Sequence, residues 1–209
     1  MIPSWYAART HRILRAQDRR LSLLNSELRH RVKNLFALTC SICSQSARST
    51  YDLHDVISSI VGRIQAIATA QDYLSITSDN GSDLRTLTQA IIGPFCPDAE
   101  RLQIRGPSVT FPPSATTSFA LILHELATNA VKYGAWQSSG QGRIEVAWQI
   151  GERTELRFQW RESGTAISPP KREGFGTKVI VRSLSGAKVQ LRFHPDGVEC
   201  TIDFRLSSL

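Results

Sequence analysis

Hydrophobic positions along the chain follow more than one rhythm. Over residues 9–47 they recur every seven: Leu14, Leu21, Leu28, Leu35 and Ile42 hold one heptad position, and Leu24 and Leu38 its companion. That spacing predicts one long helix with a seam for a partner helix. Gln17, Arg31 and Gln45 interrupt the companion position, which suits a bundle better than a long coiled coil. Residues 52–76 are also amphipathic at helical spacing, with Ile57, Ile60, Val61, Ile64, Ile67, Ala68 and Leu74 on one stripe. Two such helices in succession make an antiparallel hairpin. A lone hairpin cannot cover its own apolar face, so a homodimer closing a four-helix bundle is expected.

The rhythm changes after the polar stretch 77–83, which reads as a linker and as the cap of a helix at 84–92. Short strands are predicted at 101–105 and 108–111, then a long helix at 114–133 closed by Gly134. Strict alternation at 143–150 and 155–160 predicts a hairpin turning at 151–154. A helix at about 176–184 and a last hairpin, 187–193 with 198–206, complete the pattern, the turn being Pro195-Asp196-Gly197. The fold class is therefore α+β: a helical hairpin, then a sandwich with mixed strands on one layer and helices on the other.

Charge sharpens this division. The chain of 209 residues has a net charge of +7, with 41% hydrophobic and 21% charged residues. Residues 1–50 hold nine basic side chains against Asp18 and Glu27, and the 16 basic and 16 acidic side chains of the remainder cancel. The basicity thus belongs to the first helix, not to a basic globular domain. Such a helix attracts phosphate backbones, acidic membranes or an acidic protein pocket. No apolar run is long enough to span a membrane, and the N-terminus has no signal-peptide core, so a cytoplasmic setting is expected. Four cysteines make no disulfide framework. Cys40 and Cys43 lie within a helix with no further ligand nearby and read as small core residues. Trp5, Tyr6 and Trp148 read as packing; His11, His54 and His194 have no partner pattern.

Three segments carry candidate chemistry. In Glu-Leu-Arg-His-Arg-Val-Lys-Asn at 27–34, His30 lies beside the heptad seam and faces solvent, with Glu27 and Asn34 on its own helix face. An exposed imidazole near its ordinary pKa is a workable nucleophile. In His-Glu-Leu-Ala-Thr-Asn-Ala-Val-Lys-Tyr-Gly at 124–134, Glu125 and Asn129 are four apart and share a face, on a helix whose preceding residues 119–123 are apolar. Oxygen ligands so placed suit Mg²⁺, and Lys132 reaches a phosphate one turn later. The third segment is Trp-Arg-Glu-Ser-Gly at 160–164, followed by Gly174-Phe175-Gly176 opening a helix; glycines there let backbone N–H groups approach phosphate. Each segment also has a plainer reading, as a surface histidine, a solvated helix stripe or a tight turn.

In this order, the three segments resemble the HWE-type sensor histidine kinases, close to the HisKA_2 group, over roughly residues 22–206. The phosphoacceptor box is ELRHRVKN, the N box HELATNAVKYG, and the G box GFGTKVI; His124, Trp160 and Glu162 match the letters of the family name. The resemblance implies a dimerisation and phosphotransfer hairpin over 9–78 and a Bergerat-type (GHKL) ATP-binding domain over 80–209. It implies that His30 accepts the γ-phosphoryl group of ATP and passes it to an aspartate on a response-regulator receiver domain. Asn129 would hold Mg²⁺, with Glu125 beside it as second ligand or base. Glu162 would accept a hydrogen bond from the adenine amino group, while Lys132, Gly164, Gly174, Phe175 and Gly176 would line the nucleotide.

The basic helix then has a ready partner in an acidic receiver pocket. Residues 1–21 are too short for a PAS or GAF sensor. Either a separate sensor protein supplies the signal, or the chain is a piece of a longer one, or it has become a phosphotransfer protein. The family pattern is not followed throughout: Ser-Gly-Thr-Ala-Ile replaces Gly-Gly-Pro after Glu162, Gln71 stands where a histidine is usual, and Trp136-Gln137 replace Leu-Ser. The alternatives to an active kinase are a non-catalytic phosphotransfer protein and a nucleic-acid-binding module. The last leaves Glu125, Asn129 and Glu162 without use, and no nucleic-acid partner is expected.

Overall fold

A computed structural model of the chain describes residues 53–76, 82–137, 141–165 and 175–206. These belong to one compact unit, Tyr51–Leu209. The helix expected over 9–47, with His30, lies outside the described residues, as does the dimeric bundle expected of it.

The described part opens with α1 (Leu53–Ile76). It continues through β1 (Ser82–Asp83), α2 (Leu84–Ile92), β2 (Leu102–Arg105) and β3 (Thr110–Phe111). Then come α3 (Pro113–Tyr133), β4 (Arg143–Ile150), β5 (Glu155–Ser163), α4 (Phe175–Arg182), β6 (Lys188–His194) and β7 (Gly197–Arg205). Each expected strand and helix of the second half is present to within a few residues. Asp83 is the cap foreseen for α2: its carboxylate accepts from the Thr86 backbone N–H at 2.9 Å and the Thr86 hydroxyl at 2.7 Å. Pro113 opens α3, where a missing N–H costs nothing, and Gly134 closes it.

The main sheet has the order β2-β4-β5-β7-β6. β4, β5, β7 and β6 pair antiparallel, and β2 joins β4 in parallel at the edge. Period-two alternation sets the two faces. Ile144, Val146, Trp148, Leu156, Phe158, Trp160, Cys200, Ile202 and Phe204 are buried on the inner face. The outer face is solvated and charged. Glu145, Arg161, Glu199 and Arg192 are successive cross-strand neighbours, alternating in sign, and Arg157 pairs with Asp203 at 2.7 Å.

α3 is buried on nearly every side, as a central helix must be. Phe119 packs edge-on against Phe158 of the sheet at 5.0 Å and beside Phe111 at 4.7 Å. On its far side α3 meets α1, where Gln71 Nε2 donates to Thr117 Oγ1 at 3.0 Å. The face of α1 turned to α3 shares Ile67 with the stripe expected to face the hairpin partner and is otherwise distinct from it. Arg63, Ala66, Ile67 and Ala70 are buried, whereas Ile57, Val61 and Ile64 are 52%, 46% and 42% exposed. Small alanines allow close helix approach, and Arg63 is drawn inward by a buried carboxylate on α3.

Among the described residues no helix is long and apolar enough to cross a membrane.

Candidate active site

The site is built on the last three turns of α3. Glu125 and Asn129, four residues apart, lie on one face as their spacing requires. Glu125 is buried and Asn129 half-buried. The start of α4 lies directly over them. A Cβ built on Gly176 would stand 2.5 Å from Glu125 Oε2 and 3.9 Å from Asn129 Nδ2, so any side chain at 176 fills the space above the pair. Backbone at a helix N-terminus is thereby brought onto an oxygen-bearing amide and carboxylate, which is the donor set a phosphate–Mg²⁺ group needs.

Glu125 has a partner that sequence reasoning missed. Arg63 of α1 donates through Nε to Oε1 at 2.5 Å and through Nη2 to Oε2 at 3.1 Å, both side chains being 5% exposed. This forked geometry is the strong form of an ion pair. The one signal in the sequence is Arg63 at helical spacing from Ile60 and Ile67, and it names no acidic partner. His124, also buried, sits with Nδ1 3.9 Å from Glu125 Oε1 and without a hydrogen-bond partner among the described residues. Its ring is edge-on to Phe95 at 5.3 Å. Burial pushes the Glu125 carboxyl upward, but the neighbouring imidazole and the Arg63 guanidinium outweigh it, and the pKa lies below the ordinary glutamate value.

Glu162 forms the second centre. Its backbone belongs to β5, and its carboxylate is 4% exposed. Oε2 accepts the Ala135 N–H at 2.8 Å and Oε1 the Trp160 indole N–H at 3.1 Å. Gly134 is glycine because the Glu162 carboxylate occupies the place of its Cβ. Burial dominates here and holds the Glu162 pKa above its usual value, against the lowering effect of the Ala135 and Trp160 donors.

The remaining expected residues are distributed around these centres. Lys132 is exposed on the last turn of α3, and its carbonyl accepts from Gln137 Nε2 at 3.0 Å. Gly164 follows β5 with φ 78°, a left-handed conformation suited to glycine. Phe175 opens α4. Gly174 and His30 lie outside the described residues. The structure thus brings Glu125, Asn129 and Gly176 together, with Lys132 farther along the same helix, and Glu162 where the chain leaves α3.

The HWE histidine kinase family profile matches residues 27–108. The blue-light-activated histidine kinase of Brucella anthropi is 33% identical over 185 residues, which is 85% of this chain and 38% of that protein. The corresponding protein of Brucella ovis matches to the same extent. The chain belongs to the HWE histidine kinase family. It spans well under half the length of these curated relatives, 38%. Among solved structures, the blue-light activated histidine kinase of Erythrobacter litoralis superimposes with a TM-score of 0.59 at 18% identity, covering 72% of this chain and 55% of that one. Its isolated histidine kinase domain gives 0.55 at 16% identity, covering 82% and 96%. These likenesses establish the fold: the α+β arrangement of this HWE-family chain is that of GHKL-type histidine kinase catalytic domains.

Proposed function

We propose that this chain is an ATP-dependent protein-histidine kinase of two-component signalling, which phosphorylates His30 and passes the group to a receiver-domain aspartate. The observation that carries the reading is the Glu125–Asn129 face lying directly under the backbone of Gly176 at the start of α4. Phosphoryl transfer requires mainly positioning and charge neutralisation, and this arrangement offers both.

In this reading Asn129 holds Mg²⁺ through its side-chain oxygen, and Lys132 with the backbone at Gly174, Phe175 and Gly176 holds the phosphates. Glu162 accepts the hydrogen bond of the adenine amino group, and Gly164 lines the nucleotide. When bound, Mg²⁺ neutralises the charge that develops on the phosphates. A ring nitrogen of His30 forms a bond to the γ-phosphorus as the bond to the β–γ bridging oxygen breaks, and ADP leaves with that electron pair. Glu125, which Arg63 keeps ionised, would serve beside Asn129 as a second ligand or as the base that takes the ring proton. The phosphoryl group then passes from His30 to a carboxylate of a response regulator. The chain acts as a homodimer in the cytoplasm.

Calorimetric titration of the intact chain with a non-hydrolysable ATP analogue tests the nucleotide half of this reading. Binding is expected with Mg²⁺ and weaker without it, and Asn129→Ala should remove the Mg²⁺ dependence. Absence of binding in every condition would instead favour a phosphotransfer protein without kinase activity.

A further inference from the structure

Glu162 is held in a cage whose parts are not themselves nucleotide ligands in the reading above. Trp160, whose indole N–H binds Oε1, is fully buried, and its ring stands edge-on to Trp136 at 6.1 Å. It cannot turn away without repacking the core. Ala135, whose N–H binds Oε2, is fixed from the opposite side by Arg101. That guanidinium donates to the Ala135 carbonyl at 2.6 Å and to the Gly142 carbonyl at 2.8 Å. The Trp136 indole N–H closes the ring on the Arg101 carbonyl at 3.4 Å.

A carboxylate has about four acceptor directions. Here one on each oxygen is occupied, each by a donor that the fold itself immobilises. The open directions are therefore fixed as well, and they accept only. Such a group recognises a ligand edge that presents an N–H and gains nothing from one that lacks it.

Resting on the reading of Glu162 as the residue that meets the base, we propose that Trp160 and Arg101 are positioning residues that set the preference for a nucleotide carrying an exocyclic amino group. Trp160 acts through Oε1 directly, and Arg101 acts through Ala135.

The test compares the Kd of ATP with that of purine riboside triphosphate, in which hydrogen replaces the amino group. It uses the intact chain with Mg²⁺, the wild type, Glu162→Ala, Trp160→Phe and Arg101→Gln. The wild type is expected to prefer ATP about tenfold, the worth of one charge-assisted hydrogen bond. Glu162→Ala should abolish that preference, and Trp160→Phe should reduce it to about threefold or less, the loss falling on ATP rather than on the analogue. If Trp160→Phe does not fold, Arg101→Gln, on the rim of the cage, reads the same preference and should lower it likewise. A Trp160 variant that weakens both nucleotides equally, or neither, overturns the inference and leaves Trp160 a packing residue. A wild type with no preference, or a preference that survives Glu162→Ala, overturns the reading of Glu162 and the inference together.

Discussion

Glu125 and Glu162 are both buried carboxylates, yet their proton affinities move apart. The cause lies in their neighbours. Glu125 faces a guanidinium and an imidazole, whereas Glu162 has only two neutral N–H donors to set against its burial. The folded pKa of Glu125 lies below the unfolded value of about 4.3. Its contribution to stability is therefore present above that value and is lost as pH falls through the folded one. Glu162 has the opposite sign: its contribution is full below the unfolded pKa and is lost as pH rises through the raised folded value. Urea denaturation between about pH 3.5 and 7 reads the difference. The stability gap between wild type and Glu125→Gln should widen as pH rises, and that between wild type and Glu162→Gln should narrow. Parallel gaps would mean that the two carboxylates share one environment.

At the scale of elements, the contact between α1 and α3 turns on the Arg63–Glu125 pair. Burial removes both charges from water, so either partner left alone is strongly unfavourable. Arg63→Met is predicted to cost about 3–5 kcal/mol, and the double variant Arg63→Met/Glu125→Met to recover most of that, because the apolar pair leaves no orphan charge. Urea midpoints of the two variants check this; a single variant within about 1 kcal/mol of wild type would show the pair to be solvated. The elements themselves were legible in the sequence. Alternation placed β4 and β5, the turn Pro195-Asp196-Gly197 placed the last hairpin, Asp83 marked the start of α2, and Gly134 the end of α3. The face by which α1 meets α3 was not anticipated. Its most apolar stripe is not the one that meets α3, because alanines at 66 and 70 permit the closest approach and Arg63 has a partner there. Periodicity reports which residues are apolar but not which neighbour each face finds.

At the scale of the molecule, the sandwich could be anticipated but its strand order could not. β2 lies parallel beside β4 although α3 intervenes in the sequence, and β5 reaches β7 past α4. Such pairings depend on how the helices cover the sheet, which no local pattern encodes. The same holds for the site. The motif at 124–134 identified Glu125 and Asn129, but Arg63 and Arg101, which fix Glu125 and Ala135, come from distant segments with no motif of their own. In the proposed function a nucleotide site in one half of the chain serves a histidine in the other. Incubation of the intact chain with γ-labelled ATP and Mg²⁺, beside His30→Ala and Asn129→Ala, tests this most directly. The account predicts acid-labile label on the wild type and none on either variant. Label that persists in His30→Ala, or a wild type that binds ATP and never becomes labelled, would contradict it.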